Sequence, residues 1–68
     1  MSSVEETGAV FAHDVDMTGV ARFRHFGAEG PLYEILGPSG DDRVRIRVVQ
    51  SGEELTYPAA AARQDPRA

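Results

Sequence analysis

RVRIRVVQSGEELTY, Arg43 to Tyr57, decides how the rest of the chain is read. Val44, Ile46 and Val48 alternate with Arg43, Arg45 and Arg47, the period of two that a strand with one buried face requires. Leu55 and Tyr57 resume the alternation after Ser51-Gly52, a pair suited to a two-residue turn because glycine adopts positive φ without penalty. That turn predicts a hairpin in which Gln50 faces Glu53, Val48 faces Leu55, Arg47 faces Thr56 and Ile46 faces Tyr57. Apolar side chains then meet on one face and the arginines line the other.

The same logic extends toward the N-terminus. Gly37 to Asp42, GPSGDD, reads as a second hairpin loop, which sets Ile35 opposite Val44, Tyr33 opposite Ile46 and Glu34 opposite Arg45. Arg47 gains Glu54 on a diagonal, and Arg43 sits beside Asp41 and Asp42. Cross-strand charge pairs of this kind contribute about 0.2 to 1 kcal/mol each. The arginine row is therefore expected to be a solvated, charge-compensated face, with Tyr33, Ile35, Val44, Ile46, Val48, Leu55 and Tyr57 behind it.

Upstream, ARFRHF (Ala21 to Phe26) gives a first strand with Phe23 and His25 on one side and Arg22, Arg24 and Phe26 on the other. A bulge near His25 or Phe26 would turn both phenylalanines inward. Downstream, PAAAARQ places proline in the first turn ahead of four alanines, which predicts a short helix ended by Asp65-Pro66. The expected fold is mainly β, a small antiparallel meander or SH3-like barrel of four to five strands with one short C-terminal helix.

Composition narrows the function. At 68 residues the chain is expected to be one domain with a small core. Without cysteine there is no disulfide framework, thiolate metal site or cysteine nucleophile. All seven basic residues are arginine, so Schiff-base chemistry and a phosphate-binding P-loop lysine are also excluded. The net charge of −4 is uneven: Glu5, Glu6, Asp14 and Asp16 precede every arginine, while from Val20 onward seven Arg balance seven Asp and Glu. Residues 1 to 19 are accordingly expected to form a flexible acidic arm and residues 20 to 68 the small β-rich domain. Within the arm Phe11 is a candidate docking residue, and AVFAHDV is alternatively a short extra strand. No membrane segment or signal peptide is evident, and a cytoplasmic protein is expected.

Each candidate for chemistry has a plainer explanation. His13, Asp14 and Asp16 are metal-ligand types, but a metal site needs three or four rigidly held ligands and these lie in the arm. His25 has no assignable nucleophile or carboxylate partner. Gly37 to Asp41 departs from a nucleophile elbow at its fifth residue and joins two strands. The glycines of Gly27 to Leu32 lead into a strand, not a helix N-terminus. No catalytic residue, metal or cofactor is assigned. The residues that remain are Arg22, Arg24, Arg43, Arg45 and Arg47, the candidate interaction face.

Phe26-Gly27, Tyr33-Glu34-Ile35-Leu36, Ile46-Arg47-Val48-Val49, Ser51-Gly52-Glu53-Glu54 and Tyr57 together resemble a group of short uncharacterised bacterial proteins with a domain of unknown function. The resemblance runs from about residue 22 to residue 66 and implies no activity or site residue. The functional expectation is a non-enzymatic binding or regulatory module with a protein partner or a second copy of itself. A nucleic-acid-binding barrel using the arginine face is the runner-up, and an acidic inhibitor or antitoxin-like protein is the third reading.

Overall fold

The computed structural model describes residues 10 to 68. Four strands, β1 (Phe23–His25), β2 (Leu32–Pro38), β3 (Arg43–Val48) and β4 (Glu54–Pro58), form one antiparallel sheet in the order β1-β2-β3-β4. The sheet is an open meander, since β1 and β4 do not pair, so the barrel alternative is not realised. Helix α1 (Ala59–Gln64) follows β4 directly, and two short 3-10 turns, Ala12–Asp14 and Gly19–Arg22, precede β1. No helix among the described residues is long and apolar enough to cross a membrane.

The core lies on one face of the sheet. Tyr33, Ile35, Val44 and Ile46 point into it, and Ala59 and Ala62 cover it from α1. Alanine at those two helix positions, three apart and so on one side, lets α1 lie close to the strands. Ala12 and Val15 complete the cover. The boundary expected at residue 19 therefore cuts through the packed body. Single apolar residues without a period concealed their role, because short 3-10 turns bury isolated side chains rather than a stripe. The part of the expected arm before Val10 lies outside the described residues.

Both hairpins differ from the expected register by two residues. In β2 and β3 the partners are Tyr33 with Val48, Glu34 with Arg47 and Ile35 with Ile46, so Glu34 does not face Arg45. A bulge between Ile35 and Gly37 lets Gly37 and Pro38 join β2, opposite Arg45 and Val44, which shortens the loop to Ser39 to Asp42. Residues Val49 to Gly52 form a four-residue turn, closed by Gly52 N–H to Val48 O (2.7 Å) and Val48 N–H to Glu53 O (2.8 Å). Gly52 supplies the positive φ of 78°. Ile46 consequently faces Leu55, and Val44 faces Tyr57. A slip of two preserves which face each side chain occupies, so the apolar and arginine faces stand as expected.

One edge of the sheet is covered by the chain's own tail. His25 N–H donates to Pro66 O and Ala68 N–H donates to Phe23 O, each at 3.0 Å, with a bridge between Arg24 and Arg67. Among the described residues the other edge, β4, has no neighbouring strand.

Candidate interaction surface

The five arginines do not form one surface. Arg24 lies opposite Tyr33 on the core face and is only 3% exposed. Its expected place among the outward arginines is corrected by strand parity, which groups it with Phe26, a residue packed on the core. A buried guanidinium must spend its donors. Nε donates to Ala21 O at 2.8 Å, one terminal nitrogen to Ala62 O at 2.9 Å and the other to Asp16 O at 3.0 Å. Ala62 lies in the last turn of α1, where its carbonyl otherwise receives only the Asp65 N–H at 3.3 Å, so Arg24 adds a shorter, charged donor at the negative end of the dipole. One side chain thereby ties the N-terminal segment, β1 and the end of α1 together.

Beside it, the Asp65 carboxylate accepts from Tyr33 Oη at 2.7 Å and Tyr57 Oη at 3.0 Å through one oxygen, and from Gly27 N–H at 3.1 Å through the other. Phe26, Tyr33 and Tyr57 pack as an aromatic trio with centroids 4.4 to 5.4 Å apart. Burial, followed by the bond to Asp65, pushes the Tyr57 phenol up to about 12 and raises that of Tyr33 further. Both phenols are therefore neutral donors that anchor the residue just past α1. Gly30 closes the preceding loop, where a Cβ would overlap the Phe26 carbonyl oxygen. Sequence reasoning missed Asp65, read only as a helix stop.

The outer face carries Phe23 and His25 from β1, Leu32 and Glu34 from β2, Arg43, Arg45 and Arg47 from β3, and Glu54 and Thr56 from β4. Glu34 sits between two arginines, accepting from Arg47 at 2.6 Å and from Arg22 Nε at 3.0 Å. These bonds, Arg47's first, hold its carboxyl below the usual range. Arg22 also lies over the Phe23 ring, 5.0 Å from its centroid. Arg22 and Arg47 are thus compensated. Arg43 meets only Thr56 Oγ1, at 3.3 Å, and among the described residues neither Arg43 nor Arg45 has a carboxylate within ion-pair distance. His25 donates from Nδ1 to Gly30 O at 3.0 Å and is occupied with its own loop.

Arg45 opens onto the free edge. In the β3 and β4 ladder Val48 N–H donates to Glu53 O and Ala59 N–H to Asp42 O. Bonded pairs recur at every second residue, so Leu55 and Tyr57 also turn their backbone groups toward β3. The N–H and C=O groups of Glu54 and Thr56 consequently point away from the sheet, and Pro58, the next outward position, has no N–H. Arg45, Glu54, Leu55 and Thr56 line a shallow groove of about 220 Å³ along this edge. Leu55 is 38% exposed although it projects from the core side.

A larger cleft, about 350 Å³, lies between the first 3-10 turn and the β2 and β3 loop, with Phe11, His13, Met17 and Pro38 in its wall. Phe11 stacks on His13 there with centroids 5.7 Å apart. The Asp14 and Asp16 carboxylates accept from the backbones of Phe11 and Thr18, and among the described residues no three His, Asp or Glu side chains converge as metal ligands.

The described residues thus form an open four-stranded antiparallel meander stapled at one edge by its own tail, with Arg24, Asp65, Tyr33 and Tyr57 tying its elements together. The chain belongs to a family of unknown function, DUF5397, whose family model matches residues 9 to 68. That span takes in the N-terminal turns as well as the sheet. No curated protein and no solved structure matches.

Proposed function

We propose that the chain is a small non-enzymatic binding module of the cytoplasm that acts through protein–protein contacts. The observation that carries this reading is the asymmetry of the two sheet edges. Pro66 to Ala68 cover β1, whereas among the described residues the outward backbone groups of β4 have no partner, beside exposed Leu55 and Arg45. Proteins ordinarily blunt a free edge, and one left open next to apolar surface is a template for strand addition. The polar groups inside the fold support the reading too, since Arg24, Asp65, Tyr33 and Tyr57 are all engaged in holding elements together.

A nucleic-acid interface is the second reading, favoured by Phe23 on the arginine face and by Arg43 and Arg45, which have no carboxylate partner among the described residues. Glu34 and Glu54 on the same face oppose it, because phosphate binding draws its energy from uncompensated cations. The test is a titration of labelled single-stranded DNA and RNA at two salt concentrations. The protein-binding reading expects no binding tighter than about 100 μM at low salt. Tight binding that falls steeply with salt would replace it with the second reading.

A further inference from the structure

We propose that a second copy of this chain occupies the β4 edge, the two β4 strands pairing antiparallel about a two-fold axis at Leu55. The inference rests on the protein-binding reading above and gives it a partner. In a two-fold pair residue i lies opposite j and j opposite i, so few registers are available. With the axis at Thr56, Glu54 falls opposite the partner's Pro58, which has no N–H to return, and the Glu54 carbonyl stays unpaired. With the axis at Glu54, Thr56 falls opposite the partner's Gly52, whose N–H is already given to the Val48 carbonyl. With the axis at Leu55, Glu54 lies opposite the partner's Thr56, and all four outward backbone groups on each copy are paired.

The side chains favour the same register. Leu55 meets the partner's Leu55 as a non-hydrogen-bonded pair, the arrangement in which opposed side chains are closest. That contact covers an apolar side chain left 38% exposed in a single copy. On the outer face Glu54 lies beside the partner's Thr56, and Arg45 is the cross-strand partner of Thr56 within each copy. The axis therefore brings Glu54 of each copy within reach of the partner's Arg45, twice over. Among the described residues neither Glu54 nor Arg45 has an ion-pair partner within its own copy. The residues that line the edge groove, Arg45, Glu54, Leu55 and Thr56, are the ones this register uses. An extended peptide from another protein would form the same backbone bonds but has no reason to supply the reciprocal charges. The product is a continuous eight-stranded sheet whose outermost strands are both covered by their own C-terminal tails.

The experiment is sedimentation of the full chain from about 1 μM to about 1 mM, with melting curves on dilute samples to confirm that each variant folds. The parent is expected to pass from monomer to dimer across this range, and Leu55→Asp to remain monomeric. Glu54→Arg should weaken the dimer about tenfold, while Glu54→Arg combined with Arg45→Glu should return it to within about threefold of the parent. A parent that is monomeric throughout overturns the proposal. So does a dimer indifferent to Leu55→Asp, or a charge swap no better than the single reversal. A monomer that also ignores oligonucleotides defeats this inference alone, whereas tight salt-sensitive oligonucleotide binding defeats the reading beneath it. Should a charge variant fail to fold, Leu55→Asp, at a partly exposed edge position, decides the matter.

Discussion

Replacing Arg24 by methionine removes the guanidinium and keeps a flexible stem of similar girth. The three short bonds to Ala21, Ala62 and Asp16 carbonyls disappear together. Bonds from a charged donor are worth about 1.5 to 3 kcal/mol apiece, but the parent also bears the cost of holding a guanidinium away from water. Methionine relieves that cost and leaves the carbonyls behind. Asp16 is exposed and its carbonyl can recruit water, whereas Ala62 and Ala21 are buried. A net loss of about 3 kcal/mol follows, dominated by the buried Ala21 carbonyl, which loses its charged donor, and by the Ala62 carbonyl, which keeps only the 3.3 Å bond from Asp65 N–H. A chain of this length is expected to have only about 3 to 10 kcal/mol in total, so the melting temperature should fall by roughly 12 to 24 °C. Arg24→Lys should lose about 2 kcal/mol, because one nitrogen cannot serve three separated acceptors. The assay is thermal melting by circular dichroism at a fixed dilute concentration. A methionine variant that melts within about 2 °C of the parent would refute the assignment of Arg24 as a structural staple.

The Asp65 cluster sets an alkaline limit. Its phenols are raised in the folded state above the ordinary value of 10.0, Tyr57 to about 12. The native state therefore holds those protons more tightly, so stability is intact below pH 10 and is lost as pH rises toward 12 and beyond. Phenolate absorbance and circular dichroism should change together over that range, and phenolate formation at pH 10 without unfolding would contradict it. Asp65→Ala should cost about 2 to 3 kcal/mol in a denaturant melt by stranding both hydroxyls. Glu34→Gln should cost about 1 kcal/mol, since Arg47 and Arg22 both lose their anion. Because the Glu34 carboxyl is lowered in the fold, its contribution is present above about pH 4.5 and lost as pH falls through the depressed value. The glutamine variant should thus show a shallower acid limb in stability against pH. Val15→Ala should cost about 2 kcal/mol and deletion of residues 1 to 19 should abolish the cooperative melt, because Ala12 and Val15 belong to the core. A dispersed amide spectrum from the truncated chain would show the sheet and α1 to be self-sufficient.

Strand identity and face assignment were legible because alternation over Arg43 to Val48 is unambiguous and survives a slip of two. Register was not legible: the bulge at Leu36 and the four-residue turn at Val49 to Gly52 leave no mark in the alternation, and the net offset of Tyr33 to Ile35 and of Leu55 to Tyr57 from the expected partners is two. Glu34 was correctly expected to compensate the arginine row, though its partners are Arg47 and Arg22. Arg24 was misplaced because an arginine in a strand is ordinarily solvated, and only its parity with Phe26 signalled otherwise. Tyr33 lies 32 residues from Asp65, and Tyr57, though only eight away, is separated from it by α1, so no local pattern brings the three together. The free edge of β4 could be placed only once the order of strands was known.

Amide hydrogen exchange of the full chain at low and high protein concentration tests the pairing of the β4 edge residue by residue. The Leu55 and Tyr57 amides, committed to β3, should be protected at every concentration. The Glu54 and Thr56 amides should exchange freely in dilute solution and gain protection together as concentration rises, by about tenfold or more once the dimer dominates. Glu54 and Thr56 amides that exchange at the same rate across the whole range, in a chain whose Leu55 and Tyr57 amides remain protected, would contradict it.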